Sequence, residues 1–210
     1  MTDPNRPLWY LTSDPHLFHA LPAVERGFGT TEKPDLEGHA LWFKDRCTEI
    51  IRPCDKLLIA GDLTGGGAEP IERALELLDE LPFEKHFVSG NHDPVHPSNP
   101  KATKVQRRWL QTFHSVSPFL LLALGEGNRQ RRVAVSHFPI FGDAEHSVKE
   151  RFPEWRLKPH DRWHLHGHTH NKNQHVHDGK QIHIGIDAWG SPVSEETILR
   201  LIENEESRSL

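Results

Sequence analysis

The chain has 210 residues, 35% hydrophobic and 26% charged, with a formal net charge of −5 and only two cysteines, Cys47 and Cys54. This composition excludes a coiled coil, a collagen-like chain and a disulfide scaffold, and the acidic balance leaves no basic footprint for nucleic acid. The longest strongly apolar run, Phe119 to Leu124, falls far short of the ~20 residues of a membrane helix. The N-terminal MTDPNRPLWYLTSD lacks the apolar stretch of a secretory signal. Together with two cysteines outside any CxxC pattern, this predicts free thiols and a cytoplasmic location. The length suits a single domain over residues 1–210.

In chain order, short apolar runs alternate with segments of helical period, the pattern of a layered α/β fold. Leu8–Ser13 reads as a strand. Leu36, Ala40, Phe43, Cys47, Ile50 and Ile51 then recur at helical spacing, giving one buried face. After a strand at Lys56–Gly61, a second helix carries Ile71, Ala74, Leu75, Leu78 and Leu81 and stops at Pro82. A strand at Lys85–Ser89 and a weaker helix over Ala102–Phe113 follow, then strands at Pro118–Leu124 and Arg132–His137. Phe138–Asp161 has three prolines and no clean period, so it reads as a long loop or a lid over a site. Strands at Trp163–Gly167 and Gln181–Ile186 precede a last helix. Ser194 is its N-cap, Glu195 and Glu196 lie in its first turn, and it buries Ile198, Leu201 and Ile202. The chain shows no internal repeat.

Histidine is abundant, 17 of 210 residues, and imidazole is the commonest metal ligand. Five predicted strands run into metal-ligand residue types: Asp14-Pro15-His16, Gly61-Asp62, Gly90-Asn91-His92-Asp93, His137, and Gly167-His168-Thr169-His170. In layered α/β folds, ligands collect at the carboxyl ends of strands. The two-residue spacing of Asp14 with His16, and of His168 with His170, puts each pair on one face of an extended backbone. The glycines before Asp62, Asn91 and His168 allow sharp turns and close backbone approach. A lone DxH or Gly-Asp is ordinary turn chemistry. The conjunction of all five blocks, in this order, points to a metal centre.

These blocks, DxH, GD, GNHD, H and GHxH, resemble the calcineurin-like metallophosphoesterases, a superfamily of two-metal phosphoester hydrolases. The resemblance runs from residue 14 to 170. The second histidine of Asp14-Pro-His-Leu-Phe-His19 and the tail Gly185-Ile-Asp-Ala-Trp-Gly-Ser-Pro-Val-Ser194 are similar to short bacterial and phage members. The resemblance implies an α/β (α+β layered) fold, a four-layer α/β/β/α sandwich. It implies one metal held by Asp14, His16 and His170, a second held by Asn91, His137 and His168, and Asp62 bridging both. His92 would contact the phosphate and help the leaving group, with Asp93 orienting His92. His19 is a candidate for bonding a ligand or touching the substrate, and His166 for supporting a ligand.

Charge arithmetic fits this reading. Two divalent ions, two carboxylates and a bridging hydroxide leave about +1, a local attraction for a phosphate in an acidic chain. Four imidazoles with carboxylate and amide oxygens and no thiolate suit Mn, Fe, Zn, Co or Ni, and argue against Ca or Mg alone. Mn²⁺ is expected to support activity in vitro. The partner is a phosphoester, with diesters slightly favoured over monoesters. The GDxVDRG of protein phosphatases and dinucleoside polyphosphate hydrolases is absent, since the stretch reads Gly61-Asp-Leu-Thr-Gly-Gly-Gly67. A β-lactamase-like metal site would need HxHxDH, and His164-Leu-His166-Gly-His168-Thr-His170 supplies no Asp-His. The alternative is a non-catalytic metal-binding scaffold of the same fold that binds a protein partner; the His92–Asp93 pair argues against it. Arg107, Arg108, Arg131 and Arg132 read as solvated surface.

Overall fold

A computed structural model describes residues 6–142, 151–172, 176–177 and 180–208. The first half of the chain repeats strand and helix. In such repeats each strand pairs parallel to the last while the connecting helices stack on one face. In order these elements are β1 (Trp9–Thr12), α1 (Ala20–Glu25), α2 (Leu36–Ile50), β2 (Lys56–Ala60), α3 (Ala68–Asp79), β3 (Glu84–Val88), α4 (Ala102–Thr112) and β4 (Ser115–Ser117). The second half supplies β5 (Phe119–Leu124), β6 (Arg131–Ser136), β7 (His164–His166), β8 (Val176–His177) and β9 (Gln181–His183). It ends with α5 (Ile186–Trp189), β10 (Val193–Ser194) and α6 (Glu195–Arg208). One sheet has the order β10-β1-β2-β3-β4, parallel except for β10. The other has the order β5-β6-β7-β9-β8, with β6, β7 and β9 parallel.

The period-2 alternation of strands divides the core in two. Leu57, Ile59 and Phe87 face the helices, packing on Phe43 and Cys47 of α2, Leu75 and Leu78 of α3, and Trp109 of α4. Leu11, Leu58, Ala60 and Val88 face the second sheet and meet Leu122, Leu124, Val133, Val135, Leu165 and Ile182. Helix α6 inserts Ile198, Leu199 and Ile202 into this inter-sheet core. Its N-cap is Ser194, whose Oγ accepts the Thr197 N–H at 3.3 Å.

The predicted elements form, with differences at their ends. Helix α3 stops at Asp79, leaving Leu81 beyond it, because the residue before Pro82 is pushed out of the helical region. The predicted strand Gln181–Ile186 leaves its sheet early: Gly185 bridges to Ser13, and Ile186 opens α5. The outer face of the second sheet is met by the start of the predicted loop. There the Phe138 carbonyl accepts from His164, and the Ile140 N–H donates to Gln181. Part of that predicted lid, residues 143–150, lies outside the described residues. Among the described residues no helix is long and apolar enough to cross a membrane.

Candidate metal centre

The carboxyl ends of β1, β2, β3, β6 and β7 converge, and their loops bring the predicted donors together in two groups. Asp14, His16 and His170 form one, and Asp62, His137 and His168 the other, with the donor atoms of each group within 4.8 Å of one another. Asn91 joins the second group, its Oδ1 3.2 Å from His137 Nε2. Asp62 Oδ2 lies between the groups, 3.3 Å from His137 Nε2 and 3.8 Å from His16 Nε2.

The local backbone is not the extended one that the two-residue spacing predicts. Asp14, His16 and Phe18 alternate in left-handed conformations (φ 56°, 47° and 57°), and so do His168 and His170 (φ 69° and 52°); Asp62 has φ 53°. Side chains rarely tolerate this region, at a cost of about 1 kcal/mol or more each. Five of these six strained residues are proposed metal ligands, and the strain is what turns each pair inward. The glycines act as predicted by making room: a Cβ on Gly61 would run into the His137 ring, on Gly90 into Asp62 Oδ1, and on Gly167 into the Asp14 carboxylate.

The donor set fits a cation. The His137 Nδ1–H donates to the Ala60 carbonyl at 2.9 Å, and the His170 Nδ1–H donates to Asp187 Oδ2 at 2.8 Å, which turns each Nε2 lone pair into the site. His137 Nε2 then faces His168 Nδ1 at 3.1 Å and the Asn91 and Asp62 oxygens, while His16 Nε2 faces His170 Nε2 at 3.2 Å. Acceptors aimed at acceptors need a positive charge between them. Donors bound at about 2.1 Å to one ion stand roughly 3.0–3.4 Å apart, the spacing of His137 from Asn91, Asp62 and His168 and of His16 from His170.

Charge on the side chains tells the same story. Burial pushes His16 down to about 3, leaving a neutral ring ready to bind metal. Burial disfavours charge on His137 too, yet Asp62 and Asp14 lift it to about 9, the mark of a place that favours positive charge. Burial works against ionised Asp62, but His137 and His16 hold its carboxyl well below the usual range.

His92 and Asp93 are placed differently from one another. The His92 side chain is 44% exposed, with Nε2 4.0 Å from Asp62 Oδ2. Asp93 does not orient it, contrary to expectation. The buried Asp93 carboxylate instead accepts the backbone N–H groups of Asp62, Leu63 and Gly90 at 2.9, 3.0 and 2.7 Å, tying the loops after β2 and β3 together. Successive residues on a tight turn point different ways, and adjacency in sequence does not make them touch. Burial and the Asp62 charge push Asp93 up to about 7.

His19, half-buried, has its Nδ1 3.4 Å from His16 Nδ1 and its ring centroid 6.5 Å from that of His92, beside the first group rather than within it. His166 shares a sheet face with His164, and its ring lies 5.5 Å from that of His183. Of the predicted surface arginines, Arg108 pairs with Glu72 and Arg131 with Glu206. From the predicted lid, Phe152 stands 5.7 Å from His168 and Trp155 packs edge-on to His96 at 5.1 Å, so its described residues border the second group.

Sequence reasoning missed Arg26 and Asp187. Asp187, near the start of α5, receives the His170 Nδ1–H and a two-bond grip from Arg26, which also donates to the carbonyls of Pro15 and Asp14. Burial opposes its charge, but His170 and Arg26 hold Asp187 well below the ordinary carboxylate range. Its place in the tail Gly185-Ile-Asp-Ala-Trp was the available signal.

A family model described as calcineurin-like phosphoesterase matches residues 10–172. The chain belongs to the calcineurin-like phosphoesterase family. It is 32% identical over 202 residues to the Gene 66 protein of Mycobacterium phage L5, covering 93% of this chain and 94% of the phage protein. It is likewise 32% identical over 200 residues to the Gene 66 protein of Mycobacterium phage D29, covering 94% and 96%. Among solved structures, a protein of unknown function from Aquifex aeolicus matches with a TM-score of 0.63 at 20% identity, over 93% of this chain and 100% of that one, a likeness of fold.

Proposed function

We propose that this chain is a dinuclear metal-dependent phosphoester hydrolase with a slight preference for diesters. One observation carries the reading: the Asp62 carboxylate stands between two donor groups, as a ligand shared by two ions must. Asp14, His16 and His170 would hold one ion, Asn91, His137 and His168 the other, and Asp62 both. Two divalent ions there, manganese in the test below, would supply Lewis acidity and a hydroxide near neutral pH.

The remaining work falls to side chains. The two carboxylates, outweighed by the ions, leave a site that draws in a phosphate. His92, exposed beside Asp62, reaches the ester and gives its proton to the departing oxygen. Asp93 keeps Asp62 in place through its three backbone bonds. The reading places the enzyme in the cytoplasm, where the exposed Cys54 thiol stays reduced.

The test is hydrolysis of para-nitrophenyl phosphate beside bis-para-nitrophenyl phosphate by Mn²⁺-loaded protein, with a chelated blank. Metal-dependent turnover is expected, faster on the diester. No turnover of either ester with two ions bound would instead favour the scaffold that binds a protein partner.

A further inference from the structure

A cavity of about 540 Å³ opens beside Asn91, His92 and Asp93, a volume in the range of small-molecule sites. Ala68 and Ile71 of α3 line one side, and Val105 and Trp109 of α4 another. Ile71 and Val105 are half-buried and Trp109 is fully buried against the helix-side core, so the wall made by α3 and α4 is apolar and fixed, with the uncharged Ser98 and Asn99 also on the lining. The charged residues there largely cancel. Arg108 Nε donates to both Glu72 carboxylate oxygens at 2.8 and 3.1 Å, and Arg108 also pairs with Asp79. Lys104, the other cation of the lining, is exposed. The cavity therefore lacks the buried cations that a second phosphate would need, and offers an apolar slot.

We propose that this cavity is the subsite for the departing alcohol of the phosphoester, and that it takes an alcohol with an uncharged, apolar body of aromatic-ring size. The inference rests on the hydrolase reading above. In hydrolysis a P–O bond forms to the water oxygen, the P–O bond to the alcohol breaks, and the alcohol oxygen takes the His92 proton. The group that delivers this proton stands on the leaving group's side of the phosphorus. His92 and Asn91 of the second donor group both line the cavity, so an alcohol that takes its proton from His92 would depart beside it. Substrate choice would then be set by α3 and α4, through residues that touch neither metal nor phosphate.

The experiment uses Ala68→Trp, at an exposed position in the first turn of α3, and Val105→Trp, so that misfolding of one leaves the other. Both project an indole into the cavity. The substrates are the 4-methylumbelliferyl phosphate mono- and diesters. Inorganic phosphate serves as an inhibitor that reads the donor groups, and free 4-methylumbelliferone as one that reads the cavity. We expect KM for the ester and Ki for 4-methylumbelliferone to rise about tenfold or more, the worth of burying an aromatic body. Metal content and the Ki of phosphate should stay within about twofold, since neither residue touches the donors. Unchanged KM and unchanged 4-methylumbelliferone binding in the folded variants overturn the subsite and leave the hydrolase reading standing. A matching rise in the Ki of phosphate overturns it too, because the substitutions would then be disturbing the donor groups. Absence of metal-dependent turnover of any ester by the wild-type protein removes the hydrolase reading itself.

Discussion

Arg26 grips Asp187 through two parallel hydrogen bonds, Nε to Oδ1 at 2.7 Å and Nη2 to Oδ2 at 2.9 Å. Asp187 Oδ2 in turn accepts from His170, and Arg26 reaches the carbonyls of Pro15 and Asp14. A single guanidinium thus ties together the two ends of the first donor group. Such outer contacts fix the tautomer of a metal-binding histidine and raise its basicity.

Asp187→Ala should therefore weaken metal binding at the Asp14, His16 and His170 group by about 10–100-fold, with a smaller effect on the second group. Arg26→Lys should also weaken it, because an ammonium cannot reproduce the planar fork. Titration of metal-depleted protein followed by elemental analysis reads both. Two equally tight ions in Asp187→Ala would remove this role.

Asp62→Asn, as the shared ligand, should lose metal as well as turnover. A purified variant holding two ions at full occupancy would show that Asp62 does not bridge.

His92→Asn should keep both ions and fall by about 10²-fold or more in kcat, the usual loss when a proton donor is removed. Near wild-type turnover would exclude the role given to His92.

Asp93 calls for a different outcome. Asp93→Ala leaves three buried N–H groups without their acceptor and should cost about 3 kcal/mol of stability. Denaturant unfolding of the chelated protein measures this. A stability equal to wild type would show that the loops after β2 and β3 hold together without it.

Stability should also fall on acidification. Burial holds His39, His96 and His164 at about 4 in the folded chain, with the charge of Arg26 adding to the effect on His39 and that of His137 on His96. The unfolded chain binds these protons near pH 6.5. Between pH 6.5 and 4 the unfolded state holds more protons, so stability present above pH 6.5 is lost as pH drops through this window. Each histidine contributes a slope of up to about 1.4 kcal/mol per pH unit. Unfolding of metal-free protein across this range should show the loss, and His39→Gln should flatten it; an identical slope in the variant would exclude His39 as a contributor.

The sheets and the donor residues were legible because both leave periodic or compositional marks. Leu11, Leu58 and Val135 belong to apolar runs, and Asp14, Asp62, Asn91, His137 and His168 each follow one. What stayed hidden leaves no such mark. Strand β4 is only Ser115–Ser117, polar and at the edge of its sheet, and takes its conformation from pairing with β3. Helix α1 is six residues with Pro22 inside its first turn. The left-handed turns at Asp14, His16, His168 and His170 leave no periodic mark in the sequence, and a two-residue spacing by itself implies an extended chain. Arg26 and Asp187 are 161 residues apart and recognise each other only after folding. Asp93, which the resemblance implies would orient His92, instead binds backbone N–H groups of the loops after β2 and β3, a contact between segments that sequence order does not reveal.

Asp14 follows the first strand of one sheet, and His170 follows the third strand of the other. An ion gripped by both would act as a rivet through the two sheets, closing residues 14–170 of the 210 into one loop. It would add most to the barrier against opening, so chelation should shorten the lifetime of the folded state more than it slows refolding. Stretched from its two ends, the loaded protein would first give up the strands and helices that lie outside residues 14–170, and the rivet would hold the remainder together.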